Sequence, residues 1–116
     1  MFSSTEEMSK VIAQAASDKK ASDIVTLDMK ELTVNTDYFI ICSANTSTQV
    51  KAIADHIEDV LQEQGVPFLH KEGHREGGWV LLDYGDCVAH IFTEENRQFY
   101  NLEGLWGNAP FKPYED

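Results

Sequence analysis

The stretch "WVLLDYGDCVAHIF", Trp79 to Phe92, decides the fold, because apolar runs on either side of Gly85-Asp86 predict a β-hairpin closed by a two-residue turn. A type II′ turn requires positive φ at its first central position, which Gly85 adopts without a steric penalty. Closing the turn there fixes the register. Tyr84 falls opposite Cys87, Asp83 opposite Val88, Leu82 opposite Ala89, Leu81 opposite His90, Val80 opposite Ile91 and Trp79 opposite Phe92. Two faces separate. Val80, Leu82, Tyr84, Cys87, Ala89 and Ile91 form a mainly apolar face suited to lie under helices. Trp79, Leu81, Asp83, Val88, His90 and Phe92 form the other, apolar but interrupted by an acid and an imidazole.

Outward from the hairpin, the chain alternates helical and extended patterns. The opening predicts a helix, with Ser4 and Glu7 spaced as a capping box and Met8, Val11, Ile12, Ala15 and Ala16 on one face. "SDIVTLDM" alternates as a half-buried strand, "KELTVNTD" marks a turn, and "DYFIICSA" is an almost unbroken apolar run, as in a central strand covered on both sides. A second helix follows, capped at Thr46 to Gln49, with Val50, Ile53, Ala54, Ile57, Val60 and Leu61 as its stripe and Gly65 and Pro67 as its stop. "VPFLH" predicts a short strand. After the hairpin, Thr93 caps a short helix with Phe99, Leu102 and Trp106 at helical spacing, and the last residues, 111–116, are expected to be loosely held. The expectation is one domain over residues 1–116, an α/β (α+β) fold with a mixed five-stranded sheet, in the order α-β-β-α-β-β-β-α.

Charge narrows the function. Twenty acids against nine bases give a formal net charge of −11 in 116 residues. Binding to a phosphate backbone draws its affinity from Lys and Arg that displace counterions, so a direct DNA or RNA binder is disfavoured. Acidity suits a basic protein or a cationic small molecule, or simply keeps the chain in solution. No segment reaches the ~20 apolar residues that span a bilayer. No secretory signal pattern opens the chain, and a cytosolic protein is expected. Cys42 and Cys87 lie in apolar runs without a CxxC, as buried reduced thiols do.

Three chemical readings compete with docking. His70, Glu72, His74 and Glu76 could gather a metal, but a zincin needs HExxH on a helix, and Gly73, Gly77 and Gly78 break one here; a solvated charged link reads better. His56, among Asp55, Glu58 and Asp59, reads as a solvated histidine on an acidic helix face. Ser43, His90 and Asp83 have the residue types of a nucleophile triad, without the GxSxG elbow. Asp83 and Asp86 flank the turn as paired carboxylates would for nucleotidyl transfer, yet neither GxxxxGK[ST] nor GxGxxG occurs. What remains is the hairpin's second face. Either a predicted helix covers it, or its aromatic and aliphatic anchors, ringed by Glu72, Glu76, Asp83 and Asp86, form a docking site for a basic protein.

"ASDIVTLDM", "TDYFIICSANTSTQVKAIAD", "EG", "GWVLLDYGDCVAHIF" and "RQFYNLEGLWGNAP", in this order over about residues 20–110, resemble the ribosomal silencing factor family, also called the Iojap-related proteins. The resemblance implies a nucleotidyltransferase-like fold without transferase activity, catalytic residues, metal or cofactor. It implies binding to the large ribosomal subunit through the basic L-fourteen ribosomal protein, which keeps the small subunit from joining and lowers translation when nutrients are scarce. It also implies a homodimer off the ribosome and a cytoplasmic location. By position, its motifs place partner contacts at Glu72, Trp79, Leu81, Asp83, Tyr84 and Asp86, although Tyr84 lies on the opposite strand face from Trp79, Leu81 and Asp83. Leu102 and Trp106 are expected in the core, while Phe99 and Tyr100 fit core, dimer or partner contact. "CSANTS" departs from the glycine-containing turn common in the family. The alternative function is a metal-assisted nucleotidyl transferase using Asp83 and Asp86.

Overall fold

In the computed structural model, which describes residues 2–115, the chain runs α1 (Thr5–Asp18), β1 (Ser22–Asp28), β2 (Tyr38–Ala44), α2 (Ser47–Glu63), β3 (His70–Glu72), β4 (Trp79–Asp83), β5 (Cys87–Thr93), α3 (Glu94–Tyr100), α4 (Leu102–Leu105) and β6 (Phe111–Pro113). The hairpin β4–β5 forms in the predicted register, from Trp79 opposite Phe92 to Asp83 opposite Val88. Tyr84 N–H donates to the Cys87 carbonyl at 2.9 Å, and Gly85 takes φ +87°. Strand order is β3-β4-β5-β2-β1-β6. Only β2 and β5 run parallel; every other neighbouring pair is antiparallel.

The sheet is mixed, as expected, but has six strands rather than five. The tail expected to hang loosely adds β6, whose Phe111, Lys112 and Pro113 pair with Leu27, Thr26 and Val25. Their side chains stay exposed, so this strand is held by backbone pairing and by Tyr114, whose hydroxyl bonds Gln14 Oε1 on α1. The strand predicted over "VPFLH" lies later, at His70–Glu72. Gly73 explains why it stops there: it takes φ +80°, and a Cβ on it would lie 1.9 Å from the Trp79 carbonyl oxygen, so only glycine lets the chain press this close to β4. The single helix predicted after Thr93 is two, broken at Asn101, which adopts a left-handed conformation (φ 48°, ψ 56°) that asparagine tolerates better than most residues.

Both long helices start as their sequences predict. Ser4 Oγ accepts from Glu7 N–H and Thr46 Oγ1 from Gln49 N–H, each at 3.1 Å. Together α1 and α2 cover one face of the sheet. Ile53, Ile57 and Leu61 of α2 are fully buried against this layer, each worth about 1.5–3 kcal/mol of apolar transfer. Ile40, Cys42, Val80, Leu82 and Ile91 meet them from the strands, so the hairpin face read as helix-facing is that. A smaller cluster lies on the second face, where Leu102 of α4 and Ala109 cover Leu27, Met29, Ile41 and Phe92.

Candidate partner-binding surface

The second face is covered at one end and open along β4. Trp79, Leu81 and Asp83, which point to it, are each half-buried, whereas Val80 and Leu82, which point to the helices, are fully buried. Edge strand β3 extends this face, since Glu72 stands opposite Leu81 and His70 opposite Asp83. Lys71, between them, points to the helix side and pairs with Glu58 of α2 at 3.1 Å. The two readings left open by the sequence therefore divide the face between them.

Trp79 is fixed from beneath. Its ring stacks on Phe92 with centroids 4.9 Å apart, and its Nε1–H donates to His90 Nδ1 at 3.1 Å. His90 is only 4% exposed and meets Phe39 edge-on at 4.7 Å. Because Nδ1 accepts from the indole, the neutral ring carries its proton on Nε2, which has no hydrogen-bond partner among the described residues. Burial lowers the pKa of His90 to about 4, so the imidazole is neutral at physiological pH. The indole N–H is thereby satisfied internally, leaving the outer surface of Trp79 apolar.

Carboxylates rim the open strand. Asp83 Oδ1 accepts from Gly85 N–H at 2.7 Å, which braces the turn from its own first strand. Glu72 is exposed and pairs with His70 at 2.7 Å. Asp86 exposes its side chain, while its carbonyl accepts from Asp37 N–H, Tyr38 N–H and the Thr36 hydroxyl, tying the turn to the β1–β2 loop. Tyr84 stands apart from the other five predicted contacts. It is buried on the helix face, as strand parity requires, and burial together with the charge of Glu58 pushes its phenol pKa up.

The residues of the competing readings do not come together. His70 pairs with Glu72, but His74 turns to Asp55 on α2 at 2.8 Å, and among the described residues no three His, Cys, Asp or Glu side chains are grouped to hold a metal ion. His56, expected to be solvated, bridges to Asp18 of α1 at 3.3 Å. Ser43 Oγ accepts from Arg97 Nη1 at 3.2 Å, and His90 Nδ1 is already engaged by Trp79, so no triad forms. Cys42 and Cys87 are free buried thiols, each pushed up to about 12, chiefly by burial.

Sequence reasoning underrated the corner made by α3 and α4. Leu102 is buried and Trp106 half-buried, as expected of core residues, but Phe99 is 78% exposed and Leu105 71%. Tyr100 lies against Trp79, ring centroids 4.7 Å apart, and so continues the open face.

Fold and surface together define a class: a small α+β domain whose helices cover one side of a mixed sheet and whose other side offers an apolar, acid-rimmed strip. The chain belongs to the ribosomal silencing factor family, whose family model, described as "Ribosomal silencing factor during starvation", matches residues 3–116. The ribosomal silencing factor of Halalkalibacterium halodurans is 44% identical over 107 residues, 92% of each chain, and that of Bacillus subtilis 48% over 101 residues, 87% of this chain and 86% of the relative. The chloroplastic Iojap protein of Zea mays is 40% identical over 98 residues, which are 84% of this chain and 42% of the plant protein. A crystal structure from Chromobacterium violaceum superposes with a TM-score of 0.88 at 38% identity, covering 90% of this chain and 87% of that one. A structure from Bacillus halodurans gives 0.83 at 41% identity, with 92% and 97% covered. Among the described residues no helix is long and apolar enough to cross a membrane.

Proposed function

We propose that this chain binds the large ribosomal subunit through the basic L-fourteen ribosomal protein and, by occupying that site, keeps the small subunit from joining. Translation falls when nutrients are scarce. The observation that carries the reading is the open strip of Trp79 and Leu81 rimmed by Glu72, Asp83 and Asp86, on a protein of net charge −11 whose relatives are named for ribosomal silencing. Apolar anchors supply affinity at the centre of such a surface, while carboxylates at its rim speed encounter with a cationic partner. The mechanism needs occupancy and bulk and no chemical step. Off the ribosome, two copies pair, and the protein works as a single cytoplasmic domain.

Cosedimentation with purified large subunits tests it. Glu72→Lys with Asp83→Asn reduces charge at the rim while keeping the amide oxygen that Gly85 N–H needs. Binding should weaken and become less sensitive to salt, with the thermal midpoint little changed. Binding equal to that of the unmodified protein would remove the reading.

A further inference from the structure

Helix α3 is built inside out. None of its seven residues is buried, and α4 buries only Leu102. A seven-residue helix has little stability of its own in water, and helices in folded proteins ordinarily turn their apolar residues to the core. Here Phe99, Tyr100 and Leu105 face solvent at 78%, 47% and 71% exposure, three large apolar side chains within seven residues. Phe99 packs edge-on against Tyr100 at 5.1 Å, and Tyr100 against Trp79, so the three join the open strip of β4 instead of standing alone. Scattered surface apolar residues need no explanation, but a continuous group does.

Polar contacts hold this corner in place of burial. The side chain of Arg97 is 12% exposed. Its Nη2 and Nε donate to the two oxygens of Glu103 at 2.9 and 3.3 Å, which ties α3 to α4. Its Nη1 donates to Ser43 Oγ at 3.2 Å and to the Ser22 carbonyl at 3.4 Å, which ties both helices to β2 and β1. The planar fork of an arginine can serve these four acceptors at once; a lysine cannot match its bidentate grip on the carboxylate.

We infer that the α3–α4 corner, locked by Arg97 as its positioning residue, is the second half of the docking surface and presents Phe99, Tyr100 and Leu105 to the same basic ribosomal protein that the hairpin engages. The inference rests on the function proposed above. Continuity with Trp79 joins the two halves, and the exposed carboxylates of Glu94 and Glu95 in the first turn of α3 match a cationic partner. The apolar side chains that folding leaves exposed are then used in the complex.

Affinity for the purified L-fourteen ribosomal protein, measured by calorimetry, tests this. Phe99→Ser combined with Leu105→Ser changes only exposed side chains, so the thermal midpoint should hold while affinity falls at least about tenfold, as for loss of interface anchors. Arg97→Met should lower affinity similarly and speed amide exchange across residues 94–105 while α1 and α2 keep their protection, and Arg97→Lys should restore part of both. Wild-type affinity in the Phe99/Leu105 variant overturns the inference even if Arg97→Met fails to fold. Absence of binding by the unmodified protein would remove this inference and the proposed function together, whereas binding that only the Glu72/Asp83 variant weakens would remove the corner alone.

Discussion

Acidification should unlock the Trp79–His90 pair in a way that a single substitution can isolate. A histidine in the unfolded chain takes its proton near pH 6.5, whereas buried His90 resists until about 4. Between those values the unfolded state binds more protons, so stability falls as pH falls. The contribution of the neutral imidazole is fully present above pH 6.5 and is lost progressively toward pH 4. A difference of about 2.5 pH units corresponds to about 3 kcal/mol in all, of which about 2 kcal/mol disappears between pH 7 and pH 5. Urea unfolding at pH 7, 6 and 5 on the unmodified protein and on His90→Phe measures this directly. Phenylalanine keeps the aromatic volume but neither titrates nor accepts from the Trp79 indole, so the variant should be less stable at pH 7 by about 1–3 kcal/mol for the orphaned N–H. The gap should close by about 2 kcal/mol at pH 5, because carboxylates titrate alike in both proteins and cancel. Parallel stability curves, with a gap independent of pH, would refute the reasoning.

Other outcomes follow from local geometry. Gly73→Ala should cost at least about 2 kcal/mol and release β3 first, since the new methyl meets the Trp79 carbonyl at a left-handed φ; faster amide exchange at residues 70–72 reads it. Thr46→Ala removes the N-cap of α2 and should lower unfolding free energy by about 1 kcal/mol, measured in urea. Cys42 and Cys87 should resist an aromatic disulfide reagent at pH 8 in the native protein and react together on denaturation, because burial holds both thiols protonated.

The hairpin was fully legible because its information is local: a two-residue turn leaves one register, and alternation assigns every side chain to a face. The long helices were legible for the same reason, through caps and stripes a few residues apart. Edge strands were not. "VPFLH" has the better strand composition, but the polar His70–Glu72 forms the pairing, since an edge strand is fixed by where its backbone meets a neighbour more than by its side chains. The last strand likewise pairs through its backbone with β1, about 85 residues earlier in the chain, a contact that composition does not announce. At the candidate surface, Trp79, Leu81 and Asp83 followed from strand parity alone. Tyr84, included by resemblance against parity, lies on the helix side. Arg97 escaped notice because its partners are split between residue 103, nearby, and residues 22 and 43, which only folding brings within reach.

The two margins of the sheet have a bearing on solution behaviour. Both β3 and β6 are three residues long; one carries His, Lys and Glu in succession and the other ends in a proline. Short, charged or proline-bearing borders make poor templates for a foreign strand. A molecule that must circulate with an oily flank uncovered until it meets its target is thereby guarded against polymerising sideways into fibres, and crowding should drive it toward capped, finite contacts instead of endless ribbons.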